Sequence, residues 1–142
     1  MTKLMISTKY IKLKSRGETD IINITLEVEA ILQKAKPRSG IVVLFVPGAT
    51  GALTTIEYES GLVSDLKEAF EKLAPRDGEY AHNLRWSDGN GFAHVRASLL
   101  GPSVTVPFLD GKLTLGTWQQ IIFIDFDNRP RTRELIVQII GE

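Results

Sequence analysis

The run IVVLFV at residues 41–46 is apolar at every position, and a strand of that composition leaves neither face suited to water. It predicts a central strand covered on each side, which restricts the chain to a layered architecture with a sheet inside. The run leads directly into Pro47, Gly48, Ala49, Thr50 and Gly51, a loop of small residues.

At 142 residues the chain fits one domain, 1–142, large enough to bury a core without metals or disulfides. Residues 4–13 predict a long strand, with Leu4, Ile6, Thr8 and Tyr10 on one face, Ile11 and Leu13 on the other, and a bulge between the two sets. Arg16 and Gly17 turn it. A helix capped by Asn23 or Thr25 follows, with Ile24, Val28, Ile31, Leu32 and Ala35 as its apolar stripe, stopped before Pro37. After a β-prone stretch at 53–56, Ser60 is placed to cap a helix carrying Leu62, Leu66, Phe70 and Leu73, with Glu68 and Lys72 paired outside. Phe92, Val95 and Leu99 predict a short helix over 91–100 that Gly101 and Pro102 end. Short strands at 104–108 and 112–115 flank a turn at Asp110 and Gly111, and two strong strands at 119–127 and 131–140 are connected by Asn128, Arg129 and Pro130. The apolar residues of those last two strands, at 121–124 and 136–140, predict burial between subunits. There is no internal repeat and no regular strand and helix alternation. The fold class is α+β: a single domain with a mixed or antiparallel sheet and two or three helices.

The 17 lysines and arginines balance 17 aspartates and glutamates without long blocks, which argues against a general nucleic-acid binder. The absence of cysteine excludes disulfides, thiolate metal sites and thiol nucleophiles. No segment approaches the roughly 20 apolar residues of a membrane span, so the expectation is a cytoplasmic protein that engages neither nucleic acid nor membrane.

Polar chemistry concentrates in residues 82–101, HNLRWSDGNGFAHVRASLLG, which hold both histidines of the chain. Two imidazoles beside Asp88 suit ligation of a divalent cation or proton transfer near neutral pH. The alternative for His82 and His94 is a structural role at the ends of their elements; for Asp88 it is an Asx turn beside Gly89 and Asn90. In the loop 47–51, successive backbone amides are candidates for holding a phosphate, although no Lys-Ser or Lys-Thr pair follows as in a nucleotide P-loop. An ordinary tight connection is the other reading of Gly48 and Gly51. Arg96 suits bidentate phosphate contact, Arg85 is a second cation with surface or interface pairing as its alternative, and Trp118 and Gln119 are candidates for a pocket wall.

The segments VPGATGALTTIEYE, YAHNLRWSDGNGFAHVRASLLGPSVTVP and GKLTLGTWQQIIFIDFDNRPR, in this order and spacing, resemble the YjbQ-like family from about residue 22 onward. The resemblance implies a small α+β fold assembled as a homotrimer, and activity as a secondary thiamine-phosphate synthase that joins a pyrimidine pyrophosphate to a thiazole phosphate. On that reading His82, Asp88 and His94 are catalytic. Gly48, Ala49, Thr50, Gly51, Arg96, Trp118 and Gln119 contact a small phosphorylated or anionic metabolite. His82 and His94 correspond to family histidines that are candidate ligands of a divalent metal, with a third family histidine replaced here by Gly48; a cation would then need Asp88 or Glu59. A reading of another class stays open, a non-catalytic trimer that binds a metal ion or a small anion.

Overall fold

The structure, a computed structural model, describes residues 3–142. The elements follow in the order β1 (Met5–Ser15), β2 (Asp20–Asn23), α1 (Thr25–Gln33), β3 (Gly40–Phe45), β4 (Gly51–Glu57), α2 (Ser60–Leu73), α3 (Ala81–Trp86), α4 (Gly91–Leu100), β5 (Ser103–Leu109), β6 (Lys112–Leu113), β7 (Gln119–Asp125) and β8 (Arg131–Gly141). The class is α+β as expected, but the strands form two sheets, both antiparallel throughout, with orders β1-β8-β3-β5-β6 and β2-β7-β4. Helices number four among the described residues where two or three were expected, because the six-residue α3 is too short to show a helical apolar period.

The small sheet is the middle layer. On one side Ile121 and Phe123 of β7 pack with Val42, Leu44, Leu135 and Val137 of the large sheet and with Val28 and Leu32 of α1. On the other, Ile122 and Ile124 pack with Phe70 of α2 and with Phe92, Ala93 and Ala97 of α4. Strand β7 is therefore the one buried on both faces within a single chain, every residue from Ile121 to Asp127 included. Each fully buried Ile or Phe there contributes roughly 1.5–3 kcal/mol before ordering costs. The assignment of 121–124 to a subunit interface is corrected: the second layer of the same chain covers them.

Strand β3 also departs from expectation. Val42 and Leu44 are buried, but Ile41 and Phe45 remain 36% and 41% exposed on the outer face of the large sheet. Register carries that face across three strands, with Tyr10 opposite Ile136 and Ile136 opposite Phe45, and likewise Ile6, Ile140 and Ile41 in a second row. Apolar composition on both faces thus marks a strand with one face in the core and the other, apolar, left open to solvent in the single chain. Strand β1 pairs with β8 residue by residue from Met5–Gly141 to Ser15–Arg131 without interruption, so the expected bulge is absent. Leu4, Ile6 and Tyr10 simply face outward while Ile11 and Ser15 face the core.

Two helices present faces other than those expected. In α4 the buried set is Phe92, Ala93, Arg96 and Ala97, and Val95 and Leu99 are exposed. Small alanines let α4 lie close against β4, a fit that outweighs the bulk of the larger residues. Helix α2 is capped by Glu59, whose carboxylate accepts the N–H groups of Gly61 and Leu62, in place of Ser60. Its Leu73 is exposed, whereas Val63 and Leu66 join Phe70 against the core. The expected Glu68–Lys72 pair forms at 3.3 Å.

Candidate functional site

Helices α3 and α4 form a tight corner around the turn at 87–90. Ser87 and Gly89 adopt left-handed backbone, φ 54° and 67°, which reverses the chain within four residues. The Asn83 side-chain oxygen of α3 accepts the N–H of Gly91 at the start of α4 at 2.9 Å. Gly91 is required sterically, since a Cβ there would sit 2.5 Å from the Cβ of Tyr80. Pinned in this way, α3 and α4 bring His82 and His94 together, with ring centroids 4.3 Å apart and planes inclined by 36°. Asp88 forms the expected Asx turn, its Oδ1 accepting the Asn90 N–H at 3.1 Å, and the same oxygen lies 3.6 Å from Nδ1 of His82.

Burial first, and then the neighbouring His82, push the His94 pKa below its usual 6.5, against the opposing pull of Asp88 and Asp127. His94 is therefore a neutral imidazole at physiological pH, a base held beside two carboxylates. Asp127, which the sequence reading passed over, links the histidines to the glycine loop. It is buried, it accepts from the Thr50 hydroxyl at 3.1 Å and from Nη1 of Arg131 at 2.9 Å, and its charge reaches His94. Its neighbour Asp125 is gripped by Nε and Nη2 of Arg133 at 2.8 and 2.9 Å, and the same Nη2 donates to Thr50 at 2.7 Å. Burial alone would raise the Asp125 carboxyl, but Arg133 and the Ser15 hydroxyl pull it below its ordinary value. The signal in the sequence was two aspartates ending an otherwise apolar strand, charge where a core strand affords none unless partnered.

The loop 47–51 stands at this network through Thr50. The backbone N–H groups of Gly48 and Ala49 donate to no acceptor among the described residues, and both residues are exposed. Gly51 is small for a packing reason, because a Cβ there would lie 2.8 Å from the Phe123 ring. The arrangement presents open amides and a neutral imidazole in a region connected through Thr50 and Asp127, which suits an anion and the movement of a proton.

The remaining expected residues lie elsewhere. Arg96 is buried, and each of its three nitrogens donates to a protein acceptor: Nε to Ala74 O, Nη1 to Thr19 Oγ1 and Nη2 to Glu71 Oε2, all within 2.9 Å. It braces α4 against α2. Trp118 is 73% exposed, and Gln119 is held by Thr55 and the Gly116 N–H. Arg85 lies over the Trp86 ring at 5.4 Å. Among the described residues none of these makes a hydrogen bond, ion pair or ring contact with the histidines. A cavity of about 870 Å³ between β1 and the end of α1, lined by Met5, Tyr10, Ile31, Lys34 and Pro37, contains none of the expected residues either.

A protein-held metal does not fit this donor set. Among the described residues no group of three or more histidines, aspartates or glutamates is placed to hold a cation. Glu59, one expected auxiliary ligand, is the cap of α2. Position 48 faces a cation of the protein itself, because a Cβ built on Gly48 would lie 3.1 Å from Nη1 of Arg133.

Comparison with known proteins agrees with the architecture. The profile of the family described as UPF0047 protein YjbQ-like matches residues 9–142. A UPF0047 protein of Archaeoglobus fulgidus is 44% identical over 90% of this chain and 97% of its own length. The UPF0047 protein YugU of Bacillus subtilis is 36% identical over 96% of this chain and 100% of its own. Among solved structures, a YbjQ-like protein of unknown function from Sulfolobus solfataricus superposes with a TM-score of 0.93 at 31% identity, covering 99% of this chain and 100% of that one.

Proposed function

This chain belongs to the YjbQ-like UPF0047 family, and from that premise we propose that its histidine corner and glycine loop form a site for a small phosphorylated metabolite, acting as a secondary thiamine-phosphate synthase. The observation that carries the reading is the pair of imidazoles stacked at 4.3 Å beside Asp88. In the reaction the bond from the pyrimidine methylene to the pyrophosphate oxygen breaks, and the thiazole ring nitrogen forms the new bond to that carbon. Negative charge grows on the departing pyrophosphate, so the useful groups are fixed donors rather than a nucleophile. The open N–H groups of Gly48 and Ala49 supply them. An anion bound there also favours protonation of His94, which then donates to the leaving oxygens. The test gives the purified protein both phosphorylated precursors and measures thiamine phosphate. Wild type is expected to exceed the His94→Gln variant by at least about 10²-fold, and equal yields from the two would remove the synthase reading.

A second reading is favoured by one feature, the Arg133 guanidinium where the family places a histidine. It makes the loop better suited to retaining an anion than to assembling a metal-assisted reaction, and the protein then binds the metabolite without turnover. Pyrophosphate binding by calorimetry without product formation distinguishes it. We also propose the homotrimer that the resemblance implies, supported by the apolar outer rows of the large sheet described above.

A further inference from the structure

We propose that Arg129 is the residue that recognises the anionic group of the ligand, the role the sequence suggests for Arg96. The inference rests on the reading of the site as one for a phosphorylated metabolite and names the cation that selects it. Arg131 is committed to Asp127 at 2.9 Å, Arg133 through Nε and Nη2 to Asp125 and Thr50, and Arg96 to Ala74 O, Thr19 and Glu71. Arg129 differs. Its side chain is 72% exposed and makes no hydrogen bond among the described residues, and its one ion contact is Nε to Asp127 Oδ1 at 3.8 Å. That oxygen already accepts the N–H of Arg129 itself, and the other accepts from Thr50 and Arg131. The guanidinium therefore keeps its full set of donors for an incoming partner.

An exposed arginine is ordinarily a solvated surface charge. What separates this one is the rigidity of its base and the place where that base is fixed. The preceding Asn128 donates from Nδ2 to Asp88 O at 2.8 Å and from its backbone N–H to Asn90 Oδ1 at 3.0 Å, tying this turn to the turn that carries Asp88. Behind it Gly17 approaches so closely that a Cβ would lie 2.4 Å from Arg129 O. Pro130 fixes the following φ. A flexible side chain on an immobile turn loses little backbone freedom on binding, and a planar fork of N–H donors matches two oxygens of a phosphate. Asp127 lies 3.8 Å from the Arg129 guanidinium, accepts from Thr50 of the glycine loop and acts by its charge on His94, so the cation, the loop and the imidazole are arranged around one carboxylate.

The experiment titrates tag-free protein with inorganic pyrophosphate and follows the two histidine ring resonances by NMR, in wild type, Arg129→Ala, Arg129→Lys and the remote surface variant Lys72→Ala. The expected result is that pyrophosphate shifts both resonances in wild type. Arg129→Ala then weakens binding by roughly tenfold or more with an unchanged melting midpoint. Arg129→Lys falls between, keeping the charge and losing the fork, and Lys72→Ala matches wild type. Wild-type shifts with unweakened binding by Arg129→Ala overturn the role of Arg129 while leaving the anion site standing. Absence of any histidine shift in wild type overturns both.

Discussion

His94 gives up hydration in the α3–α4 corner and meets a second imidazole there, so its folded-state pKa lies below the unfolded value of 6.5. The unfolded chain then binds the proton more readily than the folded one, and folding stability rises with pH across the interval between those two values. The contribution is complete above about 6.5 and is lost as pH falls toward the lower folded value. We expect the urea midpoint of wild type to decline between about pH 7.5 and pH 5.5, and His94→Gln to flatten that decline, as read by circular dichroism. A variant as steep as wild type would place the lost protonation free energy elsewhere. The sequence reading brought both histidines and Asp88 to one place, because a polar segment in a chain otherwise made of apolar elements has few alternatives. Arg96, expected to contact phosphate, is instead buried with three protein acceptors, since helical spacing says which residues share a face and not which face is buried. Asp127 escaped because an aspartate ending an apolar strand says only that a partner is needed, and its partners Thr50 and Arg131 come from separate elements that no local pattern brings together.

Between strands, the pairing of Asp125 with Arg133 is a bidentate polar bond across the two sheets, since β7 belongs to one and β8 to the other. Removing one member leaves the other charge enclosed. Asp125→Ala should cost about 3–5 kcal/mol in urea unfolding, and the double replacement Asp125→Leu with Arg133→Met should recover much of it, because a buried ion pair gains little over well-packed apolar groups. Equal losses for single and double variants would assign the cost to cavity formation. Most elements were legible from their periods: α1 with its stripe, the 103–113 hairpin with its turn at Asp110 and Gly111, and the two long final strands. Less legible was their grouping. Nothing in 128–130 tells that the chain turns a corner there; that follows from Phe126 and Asp127 staying bonded to Thr50 and Glu18 after the ladder ends.

For the whole molecule the governing feature is the outer surface of the large sheet, where Tyr10 is 58% and Ile6 66% exposed beside Phe45. Covering such a surface is favourable by roughly 25 cal/mol per Å² of apolar area, less ordering costs. Light scattering should give about three times the 15.8 kDa chain mass, and Tyr10→Glu combined with Phe45→Glu should reduce it to one chain. A single-chain mass for the wild type would contradict the trimer. The composition of β3 pointed to this surface, although it could not say whether the missing cover was a helix of the same chain or another subunit.

The ladder between β1 and β8 joins residues more than a hundred positions apart, Thr8 meeting Gln138. The strand that joins β1 to β3 in the sheet is thus the element that emerges from the ribosome after all the others described. Until it arrives β1 and β3 have no neighbour in common, and the loop-closure entropy of nearly the entire chain must be met before the ladder returns any free energy. Such non-local pairing belongs to the slow end of the topological range, with folding in milliseconds to seconds, and it leaves the amide edges of β1 and β3 as the nascent chain's points of vulnerability to association.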